Sequence, residues 1–81
     1  MKQLYLITAT TDTEGLVLNE IFEDVGDALA FERDGVKRQL REHYGDSMAD
    51  AESLSIGFHS VILHESEKKL NYKRAMRFVH D

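Results

Sequence analysis

The sequence predicts an α+β domain of order ββαββ, a four-stranded antiparallel sheet (order 2-1-3-4) with one helix packed on one face. Three observations predict it. Runs with strand-like apolar periodicity fall at 2–11, 16–24, 53–65 and 68–79. Between the second and third runs, Leu29, Val36, Leu40 and Tyr44 recur at steps of seven, four and four, a helix stripe with Phe31 on its flank. Finally, 81 residues have room for one domain, residues 1–81.

The first run, "KQLYLITATT", is apolar on both faces: Leu4 and Leu6 on one, Tyr5, Ile7 and Ala9 on the other. That suits a central strand. "DTEG" is a turn, in which Asp12 can bond its own backbone and Gly15 can take positive φ. "LVLNEIFED" turns polar at Asn19, Glu20 and Glu23, as an edge strand does. The helix spans about 27–44, with Asp24 or Asp27 capping its start and Gly45 stopping it. Gly35 in its middle costs about 1 kcal/mol against Ala and implies a close approach to the sheet. "DSMADAE" is a loop with room for one helical turn, Ser47 and Asp50 having capping-box spacing.

"SLSIGFHSVILHE" would run about 43 Å as one strand. Its apolar parity switches between Phe58 and Val61, which predicts a bulge or bend between Gly57 and Ser60. In the last run, Leu70, Tyr72, Met76 and Phe78 keep strand periodicity, although Tyr72, Ala75, Met76 and Val79 also fit a helix stripe; the strand is preferred, with 65–69 as its hairpin loop.

Chemistry-bearing patterns are scarce. The chain has no cysteine, hence no disulfide framework and no thiolate metal site. His59 and His64, five apart, point to opposite faces of a regular strand, and no HExxH pattern occurs. No metal, no cofactor and no catalytic residue is expected, and the paired carboxylates read as helix-dipole partners and solubilising charge. The apolar stretch Leu4–Ile7 is too short for a leader, and no window suits a membrane helix. With the missing cysteines, this gives a cytoplasmic, non-membrane expectation.

Charge is the informative feature. The net charge is −5, yet residues 1–35 carry two positive and eight negative groups, whereas five of the ten positive charges lie within 68–78. The expected function is a non-catalytic module that docks on a protein partner with a basic surface, where carboxylates can imitate phosphates. Its expected contact residues are Asp12, Glu14, Glu20, Phe22, Glu23, Asp24 and Asp27. The alternative is nucleic-acid binding through Lys68, Lys69, Tyr72, Lys73, Arg74 and Arg77, with the ring as a stacking surface. The acidic net charge opposes that alternative. Pairing of the acidic and basic edges between copies would give a homodimer.

The stretches "MKQLYLITATT" and "GLVLNEIFEDVGDALAFERDG" resemble small single-domain ββα-type proteins that phages and mobile elements encode to disable host machinery. Anti-CRISPR proteins, restriction inhibitors and RNA polymerase inhibitors belong to that group. The likeness lies in size and style along the whole chain. It implies an inhibitor of a host nucleic-acid-processing complex, such as CRISPR-Cas, that blocks a basic groove or a subunit surface.

Overall fold

The computed structural model of the chain describes residues 2–63. They form an α+β unit with a three-stranded antiparallel sheet in the order β2-β1-β3 and a helical layer on one face. The strands are β1 (Lys2–Thr11), β2 (Gly15–Phe22) and β3 (Ser55–Leu63). The strand expected over 68–79, and with it the fourth place in the sheet, lies outside the described residues.

The hairpin turns where "DTEG" predicts. Gly15 takes φ +71°, a conformation that a side chain would strain. The turn is closed by Thr11, whose Oγ1 accepts from the Glu14 amide at 3.1 Å. Asp12 instead donates its amide to Ser53 Oγ at 3.1 Å, fastening the turn to the segment that leads into β3.

The bulge is in β2, not β3. The β1–β3 register runs unbroken from Lys2↔Leu63 to Thr10↔Ser55. The β1–β2 register slips between Ala9↔Leu18 and Thr10↔Leu16, which leaves Val17 as the extra residue. Val17 and Leu18 are consequently both fully buried although adjacent in sequence. The switch of parity in β3 has another cause. Ile56 and Phe58 pack against the core under the helical layer, whereas Val61 and Ile62 remain exposed toward the end of the strand.

The helical layer comprises α1 (Val25–Ala30), a π-turn segment (Phe31–Gly35) and α2 (Val36–Tyr44), followed by a short α3 (Asp46–Ala49). The residues that join the first three segments keep right-handed helical φ and ψ. The π-turn adds residues to one turn of helix and so shifts the apolar stripe. Ala28 is therefore fully buried and Leu29 is 48% exposed, which corrects the seven-residue step from Leu29 to Val36. Gly45, at φ 107°, ends α2, and its amide reaches the Arg41 carbonyl at 3.0 Å. The one helical turn that follows is capped at Gly45 without a side-chain bond; Ser47 lies inside it.

Among the described residues, one buried cluster forms the core: Ile7, Ala9, Val17, Leu18, Ala28, Val36, Leu40 and Ala49. Tyr44 ties the layers together, its hydroxyl donating to the Val17 carbonyl at 2.8 Å.

Candidate functional site

The expected contact residues fall at two ends of β2. Asp12 and Glu14 sit on the hairpin turn, both exposed. The eight residues of β2, about 26 Å, separate that turn from Glu23, Asp24 and Asp27. At the far end, Glu20 and Phe22 lie opposite Ile7 and Tyr5 in the register, on the helix-facing side, and both are half-buried.

Glu23 and Asp24 lie beyond the strand, so Glu20 and Asp24 do not share a strand face as their spacing suggests. Glu23 accepts from Lys2 Nζ at 2.8 Å. Asp24 caps α1: its Oδ2 accepts from the Asp27 amide at 2.9 Å. Capping uses that carboxylate because the first amides of a helix have no backbone partner. Asp27 is exposed in the first turn of the helix.

Beside this corner lies a cleft of about 300 Å³, lined by Phe22, Asp27, Ala30, Phe31, Asp34, Gly35 and Arg38. Its aromatic side is the Phe22–Phe31 pair, with ring centroids 5.2 Å apart and planes tilted by 47°. Gly35 makes that arrangement possible. A Cβ there would come within 2.5 Å of Phe31 Cδ1, so the ring lies along the helix surface over the glycine. The tightest approach at Gly35 is made by its own helix's Phe31.

Asp34 is held by its neighbour Arg33, Nε to Oδ2 at 2.8 Å, in an exposed pair. Asp27, Asp34 and Arg38 follow one another along the helix. At about 1.5 Å per residue they lie roughly 10 and 6 Å apart along the axis. Asp34 thus lies between Asp27 and Arg38 along the axis, nearer the guanidinium.

Of the expected contacts, Phe22 and Asp27 line the cleft; Asp24 does not line it and caps the helix that carries Asp27. Asp34, Gly35 and Arg38 are not among the contacts that the sequence predicts. The spacing that brings them in, Phe31 to Gly35 at i and i+4, was visible, but the π-turn that aligns them was not. The alternative basic face, Lys68 through Arg77, lies outside the described residues.

His43 stacks edge-on with Tyr44 at 4.6 Å, and His59 Nε2 is 3.3 Å from Thr8 Oγ1. Among the described residues, no three His, Asp or Glu side chains are grouped to hold a metal. No helix among them is long and apolar enough to cross a membrane. Comparison with known proteins finds no matching family model, curated sequence or solved structure.

Proposed function

We propose that this chain is a non-catalytic docking module that binds a basic protein surface through the corner where β2 meets α1. One observation carries the reading: an open cleft with an aromatic side and Asp27 and Asp34 among its lining residues. Partly exposed rings beside carboxylates are suited to partner contact, because the rings supply slow release and the charges supply steering. The net charge of −5 adds a long-range attraction for a positive partner. A basic groove that ordinarily holds nucleic acid is the partner class such a surface fits, and occupying it makes the chain an inhibitor.

The test is capture from a lysate of the producing cells, with nuclease treatment, by the parent chain and by Asp27→Asn/Asp34→Asn. Capture of a basic protein that survives nuclease and is lost with the double variant supports the reading. Capture that disappears with nuclease favours the nucleic-acid alternative instead. Equal capture by both chains rules out this corner as the contact.

A further inference from the structure

We infer that the Phe22–Phe31 cleft is a socket for one arginine side chain of the basic partner, an inference that rests on the docking reading above. The ring pair favours a flat cation. Its centroids are 5.2 Å apart, so the rings touch each other and no group enters between them. A ligand must lie across their outer faces, and a planar guanidinium stacks on such a surface while a compact ammonium gains less. The Asp27 carboxylate stands in the first turn of α1, exposed, with its hydrogen-bonding edge available to a guanidinium fork. Asp34 is paired with Arg33 and lies about 10 Å further along the axis, beyond the Debye length of ~8 Å, so the charge that faces the ligand at this end is that of Asp27.

Arg38 sets the direction. It bounds the cleft about 6 Å beyond Asp34 and repels a second cation there, so the arginine enters from the Asp27 end. Gly35 keeps the ring in place: a Cβ at that position would meet Phe31 and force the ring to shift. The aromatic ring, the glycine four residues on and the π-turn between them form one device, and π-turns of this kind recur at functional sites.

The experiment is an amide-resolved NMR titration of the full chain with blocked arginine (N-acetyl-arginine methylamide), its lysine counterpart and the neutral citrulline counterpart. Arginine is expected to shift the amides of Phe22, Asp27, Phe31 and Gly35, with lysine weaker and citrulline silent. Asp27→Asn should weaken arginine binding about tenfold. Arg38→Gln should strengthen it about threefold, a gain that a purely structural role for Arg38 would not give. Amide spectra of both variants establish that they are folded.

Equal shifts from lysine and arginine would overturn the socket, as would arginine shifts centred on Asp12 and Glu14. So would an Asp27→Asn chain that binds arginine like the parent. In each of those cases, loss of lysate capture by Asp27→Asn/Asp34→Asn still upholds docking at this corner. Arginine seated in the cleft with capture undiminished rejects the docking reading, and with it the assignment of that arginine to the partner.

Discussion

Gly35 shows how one missing side chain shapes this surface. In an ordinary helix, Gly35→Ala would add about 1 kcal/mol of stability from propensity. Here the new methyl meets the Phe31 ring at 2.5 Å, and the ring is itself packed on Phe22. Displacing it costs about 1–3 kcal/mol, the usual range for overpacking. Gly35→Ala is therefore expected to destabilise by up to about 2 kcal/mol in the parent and to stabilise by about 1 kcal/mol when Phe31 is already Ala. Urea melts of the four chains of this cycle check it; the same sign in both backgrounds contradicts the ring-over-glycine account. Asp24 is the second such residue. Its carboxylate holds the Asp27 amide, so Asp24→Ala should lose about 1 kcal/mol and Asp24→Ser should regain most of it. Charge reversal at Asp24 would mix a capping defect with any change in partner affinity. Neutral or cap-preserving substitutions are the cleaner probes of this corner.

The elements show what periodicity could and could not convey. The hairpin, the central place of β1 and the helix stop at Gly45 are legible because each rests on local chemistry, and of the two candidate caps, Asp24 and Asp27, the structure uses Asp24, so the helix starts at Val25 rather than about 27. Two features are not legible. The π-turn breaks the 3.6-residue period, so Leu29 looked like the stripe residue when Ala28 is. The parity switch in β3 points to a bulge or bend there, whereas the adjacent pair Val17–Leu18, buried together, marks the bulge in β2. The cleft depends on both the π-turn and the seating of the helix on the sheet, and a one-dimensional period carries neither. The shifted stripe makes a direct prediction. Leu29→Ala should change stability by no more than about 0.5 kcal/mol, whereas Ala28→Leu should cost about 1–3 kcal/mol. A regular heptad helix would give the reverse order in thermal melts. Tyr44→Phe should cost about 0.5–1.5 kcal/mol, because it leaves the Val17 carbonyl at the bulge without the hydroxyl.

At the scale of the whole molecule, two groups of carboxylates stand at opposite ends of β2, about 26 Å apart. At physiological ionic strength the Debye length is ~8 Å, so the hairpin turn and the helix corner are electrostatically separate. At 10 mM salt it grows to about 30 Å, and both ends then act on an approaching partner. This separates contact from steering. The reversal Asp27→Lys/Asp34→Lys changes charges at the cleft and should weaken partner binding about a hundredfold or more in 150 mM salt. The reversal Asp12→Lys/Glu14→Lys should change it less than about threefold there, yet slow association at 10 mM salt nearly as much as the cleft pair does. The measurement is association and dissociation of the captured partner at the two salt concentrations. If the turn pair is the one that weakens binding at 150 mM salt, the contact surface is the hairpin tip, and the aromatic cleft is packing that happens to be open.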